Sequence, residues 1–178
     1  MKNLVTIIIL GLIITNHLEA RLGETRQQLE SRYGKPISDV GDSLGELALV
    51  FRVEGFQFAY ILLNGVSQGV LIRKYDTYFF EENEVTMFMK KNSLGSGYEP
   101  DNFDWYGKPI QGNSTVVKQY REKSSGRRAY YEQLSQTLAF MTQEYVDYQI
   151  KKEKRKQDLL KEQKRAYEEK RQQTIDGF

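Results

Sequence analysis

Three runs of strand-forming residues, joined by loops of only two residues, constrain this chain more than any other feature. The runs are residues 47–53, 56–63 and 66–75, and the loops are Glu54-Gly55 and Asn64-Gly65. A type I′ hairpin turn needs positive φ at both central positions, which Asn-Gly accepts at little cost. The sequence therefore predicts an antiparallel β-meander over residues 47–75.

The loop length also predicts which side chains share a face of this meander. Residues that flank a two-residue loop lie opposite each other, so alternate residues of the first two runs point the same way. We expect that face to pack against helices, and its members are Leu47, Leu49, Phe51, Val53, Phe56, Phe58, Tyr60 and Leu62. The reverse face is also apolar and predicts partial cover by another element; we assign to it Val50, Ala59, Ile61, Val70 and Ile72. Gly69 marks a candidate β-bulge.

Helix signals precede and follow the meander. Thr25 and Gln28 have the spacing of a capping box, and Gly34 before Pro36 is a stop signal, so a helix is predicted over residues 26–33. A second helix is predicted over 81–91, with acidic residues in its first turn and Lys90-Lys91 at its end. Two further strands are predicted at 127–133 and 136–145.

These elements predict an α+β domain in which two short helices pack on antiparallel hairpins and the order of helix then strands is repeated. The predicted organisation is a signal peptide over residues 1–20, a globular domain over 21–145 and a charged helix over 146–178. Between residues 151 and 171 the chain has ten Lys or Arg and five Asp or Glu, a net charge of +5. Since the whole chain carries +2, and Lys2 cancels Glu19 in the signal, the rest of the mature chain carries −3.

The C-terminal segment predicts a solvated helix rather than a coiled coil. Residues 146–173 contain no Pro or Gly, and pairs such as Lys164/Glu168 lie at the i,i+4 spacing that stabilises exposed helices. A heptad seam that starts at Val146 meets Glu153, Gln157 and Lys164 where apolar residues are required. The basic excess leaves two interpretations open, a helix that stays in water and a helix that binds a partner protein or a lipid surface. The lipid surface is the weaker of these, because the helix lacks a broad apolar face.

The first twenty residues resemble an export signal. Lys2 provides the positive region, residues 4–15 are apolar, and Ala20 closes a candidate cleavage site. The apolar run is shorter than the roughly 20 residues of a membrane-spanning helix, so we expect no membrane span in the mature chain. The expected location is the periplasm or the medium.

Composition removes several classes of enzyme. The chain has no cysteine, and its only histidine, His17, lies in the predicted signal. Serine and cysteine nucleophiles activated by histidine, thiol redox chemistry and zinc sites with Cys or His ligands are therefore excluded from the mature chain. We expect no cofactor and no metal. Carboxylate chemistry stays open, with Glu81, Glu82 and Glu84 or Asp101 and Asp104 as the candidate groups.

Aromatic and basic residues outside the predicted core are the candidate binding groups. Tyrosine, tryptophan and arginine concentrate binding energy at protein interfaces. The candidates in the domain are Trp105, Tyr106, Tyr130 and Tyr131, and those in the charged helix are Lys151, Lys152, Arg155, Leu159, Leu160 and Tyr167.

The stretch from Leu22 to Pro36, with the two hairpins after it, resembles the small SmpA/OmlA-type outer-membrane assembly domains and the related β-lactamase-inhibitor-like fold. The shared pattern is G-x-T-x-x-x-V/L ending in G-x-P before a short meander. The chain also resembles exported proteins of the Verrucomicrobia and Planctomycetes type. The resemblance implies a protein-binding envelope domain. Two features depart from the family: the chain has no lipid-accepting Cys, and the basic helix is no part of the pattern.

The sequence thus predicts an exported, non-catalytic protein-binding domain of the bacterial cell envelope, with the basic C-terminal helix as its interaction arm. The expected partner is another envelope protein and not a nucleic acid, because the domain is acidic and exported. Self-association through the helix is a second possibility. The alternative function is a carboxylate-dependent hydrolase or binder of extracellular polysaccharide.

Overall fold

The computed structural model describes residues 20–41, 45–75, 79–101, 117–132 and 135–176. Its helices are α1 (Arg26–Tyr33), α2 (Glu82–Asn92) and α3 (Gln143–Asp176). Its strands are β1 (Ser38–Gly41), β2 (Leu47–Val53), β3 (Phe56–Leu63), β4 (Val66–Lys74), β5 (Glu99–Pro100), β6 (Val117–Arg121), β7 (Arg128–Glu132) and β8 (Thr137–Met141). The predicted α+β class and the long C-terminal helix are confirmed.

The eight strands form one antiparallel sheet in the order β1-β2-β3-β4-β8-β7-β6-β5. The meander supplies β2, β3 and β4, and β4 pairs with β8 along residues 69–73. The two halves of the chain therefore join through a central strand pair and share one sheet. The predicted repetition of a helix-then-strands unit is not confirmed as a division into two units.

A β-bulge in β4 decides which side chains reach the core. Leu62 pairs with Ser67 but Ile61 pairs with Gly69, so Gln68 is the extra residue next to the glycine that marked this site. One inserted residue moves every later side chain of β4 to the other face. Val70 and Ile72 are consequently fully buried on the same face as Phe58 and Tyr60. Our assignment of Val70 and Ile72 to the reverse face was wrong, because it did not carry the bulge through the register.

The main core lies between the sheet and helices α1 and α2. Leu29 of α1 and Phe88 of α2 are both 0% exposed. The Phe88 ring meets Phe56 edge-on with centroids 5.4 Å apart, and Tyr33 stacks on Phe58 at 5.5 Å. Leu49, Phe51, Phe58 and Tyr60 belong to this cluster, so the predicted core face of β2 and β3 is confirmed.

Local signals explain where α1 and α2 begin and end. The Thr25 side chain accepts from the Gln28 N–H and the Gln28 side chain accepts from the Thr25 N–H, which completes the predicted capping box. Gly34 ends α1 at φ 80°. At the start of α2 the Glu84 carboxylate accepts from the Glu81 N–H and from Lys74 Nζ at 2.8 Å, so α2 is tied to β4.

The structure differs from the sequence prediction in several strands and at the start of the C-terminal helix. β1, β5 and β6 lie where we predicted no strand. The strand predicted over 136–145 stops at Met141, after which α3 begins at Gln143. The charged helix therefore starts before the predicted boundary at residue 146. The predicted signal peptide lies outside the described residues except for Ala20, which is fully buried in the main core.

Candidate functional site

The candidate site is built on α3, and it begins where this helix docks on the sheet. Thr142, just before α3, donates its N–H to the Gln68 carbonyl at 2.9 Å and its hydroxyl to the Gln68 side chain at 2.5 Å. The Gln68 amide in turn donates to Glu144 at 3.3 Å. The bulged residue of β4 is thus the first anchor of the helix. Tyr145 and Val146 are 6% and 2% exposed, yet they lie outside the main core cluster, so the helix buries a second and smaller apolar contact.

Glu46 is the second anchor, and three residues of α3 converge on it. Its carboxylate accepts from Gln149 Nε2 at 2.7 Å and from Lys152 Nζ at 2.5 Å. Tyr145 shares a side-chain hydrogen bond with it, and burial together with the Glu46 charge raises the pKa of the Tyr145 hydroxyl. The Glu46 side chain is 15% exposed, so this carboxylate is largely removed from water. We call Glu46, Tyr145, Gln149 and Lys152 the clamp.

Beyond the clamp the helix leaves the domain. Each residue from Lys154 to Gln172 is exposed, whereas Lys152 and Glu153 are half-buried. The helix contains no Pro or Gly before residue 177, so nothing in its sequence bends it away from its docked direction. We call residues 154–172 the arm. Three of its apolar side chains are open to solvent: Leu159 at 58%, Leu160 at 56% and Tyr167 at 69%.

The clamp and the exposed apolar residues lie along one side of the helix. From Tyr145, steps of four, three, four, four, three and four residues lead to Gln149, Lys152, Lys156, Leu160, Gln163 and Tyr167, which is the spacing of one helix face. The face that docks at the base therefore continues, uncovered by any described element, along the arm. A groove of about 660 Å³ runs along this side. It is lined by Tyr148, Lys151, Lys152, Arg155, Lys156, Leu159, Leu160 and Gln163.

The candidate binding residues predicted in the charged helix thus lie together, except for Tyr167, which lies farther along the arm. Lys151, Lys152, Arg155, Leu159 and Leu160 all line the groove. Lys152 has a double role, because it also binds Glu46 and lies 5.7 Å from the centre of the Tyr148 ring. The lining of the groove combines basic side chains with Leu159 and Leu160, which suits an acidic partner that also has apolar side chains.

The predicted aromatic candidates of the domain do not join this site. Trp105 and Tyr106 lie outside the described residues. Tyr131 points to the core, where it meets Phe80 edge-on at 6.0 Å and its hydroxyl donates to Gln136 at 3.2 Å. Tyr130 lies next to it on the opposite face of β7, half-buried, and burial raises its pKa.

A second polar cluster surrounds Glu122, which is fully buried. Its carboxylate accepts from the Ser93 hydroxyl at 2.5 Å, from the Leu94 N–H at 2.7 Å and from the Ser125 hydroxyl. Burial alone would raise the pKa of Glu122, but the hydrogen bonds from Ser125 and Ser93 outweigh it, and the pKa is lowered. Glu122 thus ties the end of α2 to the β6–β7 hairpin as a charged acceptor, and its role is structural.

Two candidate carboxylates of the alternative hydrolase, Glu81 and Glu82, line an open surface depression of about 1010 Å³ together with Lys90 and Lys91. Glu84 is occupied by the helix cap and by Lys74, while Glu81 and Glu82 are exposed at the start of α2. Asp101 is half-buried at the end of β5, and Asp104 lies outside the described residues. Within the described ranges, no group of three or more Asp, Glu, His or Cys side chains is placed to hold a metal ion. No helix there is both long and apolar enough to cross a membrane.

Sequence reasoning missed the clamp. Glu46 lies 103 and 106 residues before its partners Gln149 and Lys152, and nothing local pairs it with them. The spacing of Tyr145, Gln149 and Lys152 on one helix face was the available signal that the base of the helix is docked.

Comparisons with known proteins give few matches. No family model matches the chain, and no curated protein matches it. A crystal structure of a cysteine-rich secretory protein from Staphylococcus aureus is 13% identical, over 70% of this chain and 44% of that one, with a TM-score of 0.44. An extracellular protein containing an SCP domain from Bacillus anthracis is 12% identical, over 75% of this chain and 48% of that one, with a TM-score of 0.38. The chain thus spans less than half the length of these proteins.

The predicted resemblance to SmpA/OmlA-type domains, and to exported proteins of the Verrucomicrobia and Planctomycetes type, is wrong. No model of any family matches, and the similar solved structures are described as secretory and SCP-domain proteins. The physical reason lies in the motifs used. Gly34-Lys35-Pro36 encodes a helix stop and Asn64-Gly65 a hairpin turn, and both devices serve many α+β folds.

Proposed function

We propose that this chain is an exported, non-catalytic protein-binding domain of the bacterial cell envelope, periplasmic or secreted, in which the arm binds an acidic surface of another envelope protein. One observation carries the proposal: α3 is fixed at its base by the clamp, while its exposed continuation keeps the same side uncovered. A helix that served only to complete the domain would end where its contacts end, near Lys152. This helix continues to Asp176.

The charge of the arm supports an acidic partner. The net charge of +5 between residues 151 and 171 is set on a chain whose remaining mature part is acidic. Such a positive field raises the rate at which a negatively charged surface is encountered, and the effect weakens as salt screens it. Leu159, Leu160 and Tyr167 then supply apolar and aromatic area of the kind that holds an interface together.

Two other partners fit the arm less well. A helix that lies on a lipid surface needs a broad apolar face, and this arm has three large apolar residues over about five turns. Self-association of two arms would bring together two helices of the same positive charge. Self-association is a measurable outcome of the experiment below.

The test is cross-linking in the cell envelope with identification of partners by mass spectrometry. Three chains are compared: the full chain, a chain that ends after Glu153, and the full chain with Arg155→Glu and Lys156→Glu. Ending after Glu153 rather than after Tyr145 keeps the clamp, so the domain stays folded. The matched control is Lys35→Glu with Lys90→Glu, which makes the same charge change at exposed sites outside α3.

We expect one discrete partner that is lost from both arm variants and kept in the control. A partner retained without the arm would contradict the proposal and would place the binding site in the domain. Absence of any partner from all forms would also contradict it, and would favour the polysaccharide alternative. Adducts between two copies of the chain that disappear when the arm is removed would show that the arm binds a second copy and not another protein.

A further inference from the structure

The strand β1 forms an edge of the sheet, and it is open. Within the described residues β1 pairs only with β2, and its four residues are all exposed. Val40 is 63% exposed and Ile37, just before the strand, is 58% exposed. An open edge strand offers unpaired backbone groups to which another extended chain can add.

The register shows which backbone groups of β1 face outward. The Ile37 N–H donates to the Val50 carbonyl of β2 at 2.7 Å. That bond shows that the backbone groups of Val50 face β1, and Val50 lies opposite Ser38, as Ala48 lies opposite Val40. Ser38 and Val40 therefore bond to β2, and because backbone groups alternate in direction along a strand, the N–H groups of Asp39 and Gly41 face the open edge. These two donors, and the carbonyls of the same residues, are available to a new strand.

The direction of α3 places the arm above this edge. The helix begins just after β8 and contacts Glu46 just before β2, and β4 and β3 lie between these two strands. It therefore runs across the strands from β8 towards β1, and its continuation extends past the open edge.

The part of the helix that extends in this direction holds the groove with Leu159 and Leu160. We propose that β1 and the arm form one binding site, in which an acidic, extended segment of the partner adds to β1 as a ninth strand and packs beneath Leu159 and Leu160. The inference rests on the proposed function and deepens it, because it names the conformation of the partner segment. The backbone of β1 provides the hydrogen bonds, and the arm provides the cover.

The basic side chains of the groove favour an acidic partner segment. Lys151, Arg155 and Lys156 line the groove, while Asp39, the acidic residue of β1, is already paired with Arg26 at 2.7 Å. An incoming strand with alternate acidic and apolar residues would present one set to the basic side chains and the other to the leucines. A second copy of the arm would bring like charges to the groove, so it is not the occupant.

The test uses a soluble peptide of alternating valine and glutamate, with the valine–lysine peptide as its matched control, added to the purified full chain. Affinity is followed by fluorescence anisotropy of the labelled peptide, and backbone protection by amide hydrogen exchange of β1. We expect the acidic peptide alone to bind and to protect the Asp39 and Gly41 amides. Gly41→Pro, which removes one outward donor, should weaken binding about tenfold. Gly41→Ala keeps that donor and should bind within about twofold of the full chain.

Asp39→Pro is a second variant with the same expected loss, and circular dichroism checks that both proline variants stay folded. Binding without protection of the two amides would overturn strand addition, and so would equal binding by Gly41→Pro and Asp39→Pro. Failure of the acidic peptide to bind would overturn it as well. These results do not depend on whether partners are lost when the arm is truncated. Failure of this inference is therefore distinguishable from failure of the proposed function.

Discussion

Removing the Glu46 carboxylate should release the base of the arm. In Glu46→Ala the Gln149 amide and the Lys152 ammonium lose an acceptor at 2.7 and 2.5 Å, and the Tyr145 hydroxyl loses its carboxylate partner while staying buried. A neutral hydrogen bond contributes about 1 kcal/mol, and a buried donor left without a partner costs about 1–3 kcal/mol. The ion pair adds less, about 0.5 kcal/mol, since the Lys152 side chain is 34% exposed.

The expected decrease in the free energy of unfolding is about 2.5–4.5 kcal/mol for Glu46→Ala, the sum of these three contributions. Glu46→Gln keeps an acceptor for Tyr145 and loses the charge that faces Lys152, so about 1 kcal/mol is expected. Urea unfolding followed by circular dichroism measures both values. Hydrogen exchange of residues 143–152 should accelerate more than that of the main core, because Glu46 holds the base of the helix and does not touch the main core.

The control is Glu162→Ala, which removes a carboxylate from the exposed arm and should change the free energy of unfolding by less than about 0.5 kcal/mol. If Glu46→Ala is as stable as this control, the clamp does not hold the helix. The arm would then lack a fixed direction, and the alignment of the arm with β1 would lose its basis.

Three further predictions concern the core, the buried carboxylate and the helix boundary. Phe88→Ala should cost about 3–5 kcal/mol of unfolding free energy, because the ring is fully buried, whereas the exposed Thr86→Ala on the same helix should cost less than about 0.5 kcal/mol. The lowered pKa of Glu122 means that its stabilising contribution is present above its ordinary pKa of 4.5 and is lost as the pH falls through the lower folded-state pKa. The stability difference between the full chain and Glu122→Gln should therefore shrink from neutral to strongly acidic pH; a constant difference would refute this role. A chain ending after Glu153 should match the full chain in urea midpoint, while a chain ending after Tyr145 should unfold at lower urea, since it lacks Gln149 and Lys152.

The parts of the fold that follow from adjacent residues were predictable. The capping box at Thr25 and the two-residue turns gave the bounds of α1, β2 and β3 as the structure has them. These signals act through hydrogen bonds and dihedral angles within a few residues, so they are visible in the sequence. The same locality explains why they did not identify a family.

The parts that depend on distant residues were not predictable. The bulge at Gln68 reverses the faces of Val70 and Ile72, and its exact position is settled by pairing with β3. The pairing of β4 with β8 and the contact of Glu46 with Lys152 join segments more than 60 residues apart. The short strand β1 has no hydrophobic alternation, because all its residues are exposed at the sheet edge.

The measurement that tests the account most directly is site-specific photo-cross-linking in living cells. A photoreactive amino acid is placed at Leu159 on the arm, at Val40 on the open edge, and at Thr86 on the exposed side of α2 as the control. Positions 159 and 40 should give adducts with the same acidic segment of one envelope protein, and position 86 should give none. Equal labelling from all three positions, or no adduct from position 159, would contradict the claim that the arm is the interaction element.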